Sequence, residues 1–476
     1  MPERKRVAVL ADSDTRWKWG ALTARRLVPD HRLAGYLLRG RATPTARQLG
    51  EVGVQGDRPT EVTCAEFLAE IGREQYDVVV LALVGGAVQA VLHGARALWP
   101  EPAARPVLVT GYVGVVYEKL ADGLLLRHGA DLVLANSRHD AGRFRAVYEG
   151  VGADPGAVTE TALPFLGGAP YERAGSGTRT VVFAVQPSVP ESRADRAYLL
   201  ERAAGHARLH PRREVLIKLR SRPGEHTTHL EEQPYQRLAA RLPGGLPPNC
   251  RLVYGNMGEV LDGTDLLVTV SSTAALESLN RSIPTAVLTD LGIRESLGNH
   301  HFLGSGCLAS WDQLDAGLLP QADPRWLAAQ GVLPGPPAPE ADGAAPAAPT
   351  LAAHGSAGPE AEYEPGSEAE AASARAGGGD AYAVARARVA GLLAGDRLPP
   401  VAPYYTLTTA PGYLPGILAR QHLAPDGTPL PGAVRQSAGQ SRLRRRLRAH
   451  LREAARGAYR HGVQRVAPVI RRMGEL

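Results

Sequence analysis

The 476-residue sequence contains only three cysteines, Cys64, Cys250 and Cys307. Three scattered cysteines make neither a disulfide framework nor a cysteine-based zinc site, so we interpret each as a small buried side chain. No run of about 18 apolar residues is present, which argues against a membrane-spanning helix. Asp12 and Asp14 interrupt the N-terminal apolar stretch before a signal-peptide core could form. These absences predict a protein of the reducing cytoplasm.

Lysine is also rare, because only Lys5, Lys18, Lys119 and Lys218 occur among 54 basic residues. The excess of Arg, together with abundant Ala, Gly and Pro, is typical of a GC-rich genome. It is therefore weak evidence for nucleic-acid binding, and we predict no nucleic-acid partner. Residues 441–476, with eleven Arg and two Glu, carry a formal charge of +9, whereas the rest of the chain carries −3.

Strand-like and helix-like segments alternate along most of the chain. Residues 77–83 form a continuous apolar run typical of a central parallel strand, and a helical pattern follows over residues 85–98. The same alternation restarts after a Gly-rich connector at 167–177. The pattern predicts an α/β fold with two Rossmann-like domains facing across a cleft, at residues 1–168 and 178–332.

The remaining chain differs in composition. Residues 333–379 are rich in Pro, Ala, Gly and Glu, and they predict a disordered insert because they cannot bury enough apolar surface. Residues 380–476 predict a returning helix, beginning with 380–393, and a basic helical C-terminal tail. The Arg-rich face of that tail can lie on an anionic membrane surface. A solvated helix packed back on the body is an equal alternative.

The most informative motif is the Ser271-Ser272-Thr273 cluster, which lies between an apolar strand and a helix. Backbone N–H groups and hydroxyls at a helix N-terminus suit phosphate, although Ser and Thr are also ordinary helix caps. Glu277 lies about one helical turn further on. It could bind ribose hydroxyls or brace the helix.

A second motif follows the first strand, at residues 11–20. It lacks the three-glycine dinucleotide fingerprint, which disfavours NAD. Asp14 and Asp12 are candidates for the base that deprotonates an acceptor hydroxyl, or else for helix caps. Trp17 and Lys18 are candidate acceptor contacts, since aromatic rings stack on sugars.

Basic residues accompany the second domain. Lys218 lies within an apolar strand, where a charge is costly without a partner, and Arg220 follows at the strand end. Both suit a donor phosphate, and a surface charge cluster is the alternative. Loops after other strands add Gly114, Tyr117, Asn299 and His300 as acceptor or cleft residues, or as plain turn and solvated loop. No anchored set of metal ligands is evident, so we predict neither a metal nor a bound cofactor.

The segments TGYVGVVYEK, HPRREVLIKLRS, VTVSSTAALES and LGIRESLGNHHF carry a resemblance to a known class of enzymes. Over residues 1 to about 335 the chain resembles GT-B glycosyltransferases, distantly the bacterial polysialyltransferases, capsule-polymer transferases and glycerophosphotransferases. It looks most like an uncharacterised family of actinobacterial sequences regarded as glycosyltransferases. The resemblance implies that Lys218 and Arg220 lie near donor phosphates, which Ser271, Ser272 and Thr273 bind directly. His210-Pro211 precedes its strand, whereas this pair lies at the strand end in many such enzymes, so the nucleotide is left open between CMP and UDP.

The resemblance implies a metal-independent transfer of sugar from a nucleotide-sugar donor in the second domain to an acceptor in the first. A cell-envelope or lipid-linked molecule is one candidate acceptor. Two other functions are compatible with the sequence. One is a nucleotide-sugar epimerase of related fold, and the other is a non-catalytic two-domain scaffold.

Overall fold

The computed structural model describes residues 4–40, 42–54, 58–114, 119–172, 179–222, 225, 231, 233–332 and 380–433. The predicted insert at 333–379, the basic tail at 441–476 and Tyr117 lie outside the described residues. Within the described part of the chain, no helix is both long and apolar enough to cross a bilayer.

The first domain is built on a seven-stranded sheet in which every strand pair is parallel. The strand order is β3-β2-β1-β4-β5-β6-β7, so its first six strands follow the Rossmann order. Central strands such as β4 are buried along their whole length because helices cover both faces of the sheet. The strands are β1 (Lys5–Ala11), β2 (His31–Leu38), β3 (Thr60–Val62), β4 (Val78–Ala82), β5 (Val107–Gly111), β6 (Leu132–Ala135) and β7 (Val158–Glu160).

Six helices connect these strands, and side-chain caps fix where several of them begin. Thr63 and Glu66 form a capping box at the start of the third helix, which satisfies two backbone N–H groups that would otherwise lack partners. The helices are α1 (Asp14–Leu27), α2 (Ala46–Glu51), α3 (Cys64–Arg73), α4 (Gly85–Leu98), α5 (Leu120–Leu125) and α6 (Arg138–Gly150).

The second domain repeats the architecture with a six-stranded parallel sheet of order β10-β9-β8-β11-β12-β13. Counted from its own first strand, this is again the Rossmann order, with the topological switch between β8 and β11. The strands are β8 (Thr180–Ala184), β9 (Glu214–Lys218), β10 (Cys250–Val253), β11 (Leu266–Thr269), β12 (Thr285–Leu288) and β13 (Leu308–Ala309).

The helices of the second domain are mostly short. They are α7 (Arg193–Leu209), α8 (Tyr235–Ala239), α9 (Met257–Asp262), α10 (Ala274–Asn280), α11 (Trp311–Asp315) and α12 (Pro324–Ala329). Two 3-10 helices, Glu295–Leu297 and Asn299–Phe302, follow β12. The predicted α/β fold of two Rossmann-like domains is therefore confirmed.

The segment after the insert packs on the first domain, at residues 380–433. It contains α13 (Ala383–Ala394) and α14 (Leu414–Arg420). The Tyr382 hydroxyl donates to the Ala162 carbonyl at 2.8 Å, and Arg105 donates to the Pro399 carbonyl at 2.9 Å. Leu414 and Leu418 are fully buried in the same core as α4. The first domain is thus completed by chain that follows the second.

Several element boundaries differ from the sequence prediction. The sequence pattern predicts a first helix over residues 19–27, whereas the helix begins at Asp14, because the Ser13 hydroxyl accepts the Arg16 backbone N–H and caps it there. The pattern also predicts a strand over residues 159–163, but the observed strand ends at Glu160. The short edge strands β3 and β13, with three and two residues, were not predicted, since so few residues carry no clear period.

Candidate functional site

The carboxyl ends of the two sheets face each other across a cleft, and side chains from both domains meet there. Arg220 Nη2 donates to Asp14 Oδ1 at 2.6 Å. Lys18 Nζ lies 3.5 Å from Glu277 Oε2. These residues come from loops after strands or from the first turns of helices, as expected for ligand groups in open α/β sheets.

Asp14 is the first residue of α1, and it is almost completely buried. Its Oδ1 accepts the backbone N–H of Thr15 at 2.7 Å and the Arg220 guanidinium. Arg220 Nη2 also donates to the Thr15 hydroxyl. Asp14 is therefore held at the cleft by donors from both domains.

Asp12 has a different environment. Its Oδ1 accepts from Arg16 Nη1 at 2.8 Å, and its Oδ2 accepts the Val84 backbone N–H at 2.9 Å. Both oxygens are thus engaged in bracing the β1–α1 loop against the start of α4. This arrangement favours Asp14 over Asp12 as the candidate base.

The two acceptor-side candidates on α1 point in different directions. Trp17 is only 3% exposed, and a Cβ placed on Gly35 would lie 2.5 Å from its ring. The ring fills the core, so its packing does not support an aromatic platform for a sugar. Lys18 instead lies over the Phe165 ring at 5.0 Å and reaches across to Glu277.

Lys218 and Arg220, at the end of β9, are at different depths. Lys218 is buried and donates to the Leu219 carbonyl at 2.8 Å. Burial lowers the pKa of Lys218 to about 8, with Glu51 and Glu277 opposing this effect and Arg220 and Arg47 adding to it. The side chain of Arg220 is 32% exposed and extends into the cleft. Arg220 is thus the one of the pair that can contact a ligand directly.

The Ser271-Ser272-Thr273 cluster divides into three environments. The Ser271 hydroxyl donates to the Leu297 carbonyl at 2.6 Å, and its backbone N–H donates to Gln186 Oε1 at 3.0 Å. The Ser272 hydroxyl accepts the Ala274 backbone N–H at 3.2 Å, as a helix cap does. Thr273 makes no side-chain cap bond, and a Cβ added to Gly114 would lie 3.1 Å from its hydroxyl oxygen. Thr273 therefore faces the first domain.

Glu277 is buried within α10, and its pKa is raised by desolvation. The nearby Lys18, followed by Arg281 and Lys218, works in the opposite direction. A carboxylate held in this way, opposite a lysine of the other domain, could accept hydrogen bonds from ligand hydroxyls. Its present contact is the ion pair with Lys18.

The remaining predicted cleft residues have separate surroundings, and of these Gly114 lies beside Thr273. Asn299 Nδ2 donates to the Leu288 carbonyl at 3.1 Å and the Gly292 carbonyl at 2.8 Å, so it braces the loop after β12. His300 is exposed. The Gly114 carbonyl accepts from Asn136 Nδ2 at 3.0 Å, which fixes the loop after β5.

Sequence reasoning missed two features at the cleft. Gln186 follows β8 and holds Ser271 at the topological switch point, and the rule that selected other strand-end residues would also have selected it. Arg47 of α2 bonds to Glu225 of the second domain, with Nε to Oε1 at 2.6 Å. No sequence pattern indicates this ion pair between the domains, because its partners are 178 residues apart.

A cluster of metal-ligand types, also not predicted, lies elsewhere. Ligand atoms of His206, His210 and Asp315 all lie within 4.8 Å of one another, at the end of α7. His206 Nδ1 lies 2.6 Å from Asp315 Oδ1, and His206 Nε2 lies 3.1 Å from Arg213 Nη1. His210 Nε2 lies 3.1 Å from the Asp315 carbonyl. The cluster is accounted for by these bonds, and α7 ends at the amino ends of the strands, away from the cleft.

Comparison with solved structures gives distant similarity. The UDP-N-acetylglucosamine 2-epimerase of Rickettsia bellii is 9% identical with a TM-score of 0.46, over 69% of this chain and 92% of that one. The S. aureus MnaA–UDP co-structure is 12% identical with a TM-score of 0.44, over 69% and 91%. The glycotransferase of kitacinnamycin is 14% identical with a TM-score of 0.38, over 66% and 90%. At these scores the fold assignment rests on the two sheets themselves.

No curated protein sequence matches the chain. A protein-family model described as "Putative glycosyltransferase (DUF6716)" matches residues 7–344, which include both sheets and every cleft residue described above. The distant resemblance to polysialyltransferases and the actinobacterial origin of the chain stay predictions. The chain, with its two Rossmann-like domains in the GT-B arrangement, therefore belongs to this glycosyltransferase family.

Proposed function

We propose that the protein transfers a sugar from a nucleotide-sugar donor, bound on the second domain, to a hydroxyl group of an acceptor bound on the first. The observation that carries the proposal is the 2.6 Å contact between Arg220 Nη2 and Asp14 Oδ1 across the cleft. A cation suited to the leaving phosphate and a carboxylate suited to the acceptor proton come from opposite domains and meet at one place. In the proposed transfer the carboxylate would deprotonate the acceptor hydroxyl and the cation would stabilise the leaving phosphate.

The donor phosphate would lie against Arg220, the Thr273 hydroxyl and the Ser272 hydroxyl. Arg220 supplies a charge-assisted contact, and Lys218 adds positive charge from behind. Ser271 supports this site indirectly by fixing the turn through Leu297 and Gln186. Glu277 would accept hydrogen bonds from ribose hydroxyls once Lys18 moves with its domain.

In the transfer step, the acceptor hydroxyl oxygen forms a bond to the anomeric carbon of the sugar. The bond between that carbon and the donor phosphate oxygen breaks, and its electron pair stays on the phosphate. The hydroxyl proton passes to Asp14. Arg220 stabilises the negative charge that develops on the leaving phosphate, which is the kind of electrostatic assistance that contributes most in such sites.

The first test is a thermal-shift screen of the full chain with UDP, GDP, CDP and CMP compounds. We expect one class of nucleotide to raise the melting temperature. Sugar transfer from the matching nucleotide-sugar to a cell-envelope extract should then fall by about 10²-fold or more in Arg220→Ala, because the leaving phosphate loses its cation. Ser272→Ala should also impair transfer. Arg251→Ala, which removes an exposed guanidinium paired to Glu214 on β9, is the control.

Two results would oppose the proposal. Unchanged turnover in both Arg220→Ala and Ser272→Ala would remove the site assignment. Conversion of a UDP-sugar in the absence of any acceptor would instead indicate an epimerase, which needs no acceptor. If no nucleotide shifts the melting temperature, the non-catalytic scaffold becomes the better explanation.

A further inference from the structure

The two groups assigned to the transfer step are occupied with each other. Arg220 Nη2 donates to Asp14 Oδ1 at 2.6 Å and also to the Thr15 hydroxyl. Asp14 cannot present this oxygen to an acceptor hydroxyl while it accepts from Arg220. Arg220 likewise cannot give the same N–H group to a phosphate. Asp14 Oδ1 and Arg220 Nη2 must therefore separate before either of these two atoms can contact a ligand.

We propose that the donor phosphate competes with Asp14 for Arg220 Nη2, so that donor binding releases Asp14 Oδ1 for the acceptor. This inference rests on the proposed function. The phosphate takes over the guanidinium N–H that Asp14 held, and Asp14 Oδ1 loses that donor. The exchange couples occupation of the second domain to the release of Asp14 Oδ1 in the first.

The other cleft cations are less suited to this exchange. Lys18 is held by Glu277 at 3.5 Å, with 18% of its side chain exposed. Arg47 is held by both Glu51 and Glu225, with 23% exposed. Within the described part of the chain, Arg220, at 32%, is the most exposed of the three cations paired across the domains, and the carboxylate it pairs with is the candidate base. A phosphate entering the cleft would therefore meet Arg220 first.

Asp14 keeps its position after the exchange. The Thr15 backbone N–H donates to the same Oδ1 at 2.7 Å, and this bond does not depend on Arg220. The acceptor would therefore meet a fixed carboxylate whose oxygen has lost one donor. The proton then moves to Asp14 as described for the transfer step.

The exchange predicts an unusual effect of removing the base. Asp14→Asn abolishes the negative charge that competes for Arg220, so nucleotide binding should become tighter by about three- to tenfold, the range of a partly exposed ion pair. Arg220→Gln should weaken binding. In the double variant Asp14→Asn/Arg220→Gln, the gain from Asp14→Asn should disappear, because there is no guanidinium left to release. Isothermal titration calorimetry with UDP, GDP, CDP and CMP measures the nucleotide affinities of the unaltered full chain, the two single variants and the double variant.

Asp312→Asn is the matched control. It removes a carboxylate that pairs with Arg202 at the same 2.6 Å distance, but Asp312 is 82% exposed on α11, outside the cleft. Its nucleotide affinity should equal that of the unaltered protein. If Asp312→Asn also tightens binding, net charge rather than exchange explains the effect, and the proposal is overturned.

The remaining outcomes separate the two proposals. Unchanged or weaker binding in Asp14→Asn, with weaker binding in Arg220→Gln, overturns the exchange and leaves the proposed function in place. An equal gain from Asp14→Asn with and without Arg220 shows a general field effect and also overturns the exchange. Absence of binding by every nucleotide tested overturns both proposals. A gain that depends on Arg220 supports the exchange.

Discussion

Lys218 is a charged side chain buried at the end of an otherwise apolar strand, β9. Its folded-state pKa of about 8 is below the ordinary value of 10.5. At neutral pH, keeping this lysine protonated therefore costs the folded protein free energy relative to the unfolded chain. This cost disappears as the pH rises from about 8 to 10.5. A residue that lowers stability in this way is typical of a functional site.

We therefore predict that Lys218→Met stabilises the protein while weakening nucleotide binding. The gain should be about 1–3 kcal/mol at pH 7, since the methionine fills the same space without a buried charge, less the lost bond to Leu219. Urea unfolding and nucleotide titration measure the two effects. Lys5→Met, at an exposed position paired with Asp77, is the control. Destabilisation by Lys218→Met would show that the charge is well compensated.

His301 is a second residue with a shifted pKa, at the contact between the second domain and α6. Desolvation, followed by the charges of His139, Arg143 and His300, lowers its pKa to about 4. The folded state therefore resists protonation that the unfolded chain accepts at about pH 6.5. Stability should fall as the pH decreases from about 6.5 to 4, by up to about 3 kcal/mol from this residue.

His301→Leu should reduce the loss of folding stability between about pH 6.5 and 4. The ring packs against Phe302 and Trp326, so an apolar side chain can take its place. The measurement is the urea midpoint at several pH values. The exposed neighbour supplies a comparison as His300→Asn, which should change the slope less than His301→Leu does, because it removes only one of the charges that lower the pKa of His301. An unchanged slope in His301→Leu would assign the acid sensitivity to other groups.

The candidate site could be located from the sequence, but the state of its residues could not. Strand-end position was enough to select Asp14, Arg220 and Thr273, because parallel strands deliver their loops to one edge. The same reasoning selected Trp17 and Asn299, which pack inward or brace a loop. Direction of a side chain and pairing across a cleft depend on tertiary contacts that no local pattern records.

At the scale of elements, long periodic or fully apolar segments were predictable and short ones were not. Helix α4 has the boundaries predicted from the sequence, residues 85–98, and strand β8 and helix α7 match the strand and the helix that the same patterns predict at 180–184 and 193–209. In each, either a continuous apolar run or a long helix with clear flanking turns specifies the element. The short strands β3 and β13 exist because neighbouring strands offer open edges, which is a property of the assembled sheet.

The packing of α14 on α4 gives an element-scale prediction. Leu418 is fully buried, and Leu418→Ala should destabilise the protein by about 2–5 kcal/mol, through lost burial and the cavity left behind. Leu407→Ala in the same segment, at a side chain 45% exposed, should change stability by less than about 0.5 kcal/mol. Urea unfolding compares the two variants. Equal effects would mean that α14 contributes no more to the core than a surface loop.

At the scale of the whole molecule, three ion pairs between described residues cross the cleft: Arg220 with Asp14, Lys18 with Glu277, and Arg47 with Glu225. The first domain supplies two of the cations and one carboxylate, and the second supplies one cation and two carboxylates, so the pairs attract the two domains. Burial alone would raise the pKa of Glu225, but hydrogen bonds from Arg47 and the Arg222 backbone outweigh it and lower the pKa. The Arg47–Glu225 contact is therefore stabilising at neutral pH.

We predict that Arg47→Glu opens the cleft and that the reversed pair Arg47→Glu/Glu225→Arg closes it again. Distances between spin labels, one on each domain, should lengthen in the first variant and return toward the original in the second. All three native cysteines are buried, which favours selective labelling of introduced surface cysteines. Arg251→Glu, which breaks a pair within the second domain, should leave the distance unchanged. An unchanged distance in Arg47→Glu would show that other contacts hold the domains.

The return of residues 380–433 to the first domain also bears on how the protein is made. A ribosome releases the strands of the first sheet early, yet Leu414 and Leu418, which complete the core beside α4, emerge only after the whole second domain. The first domain therefore cannot finish folding in the order of synthesis, and the α4 face stays uncovered in the nascent chain. A polypeptide ended at residue 344, where the family match stops, would keep every cleft residue and still expose this apolar face.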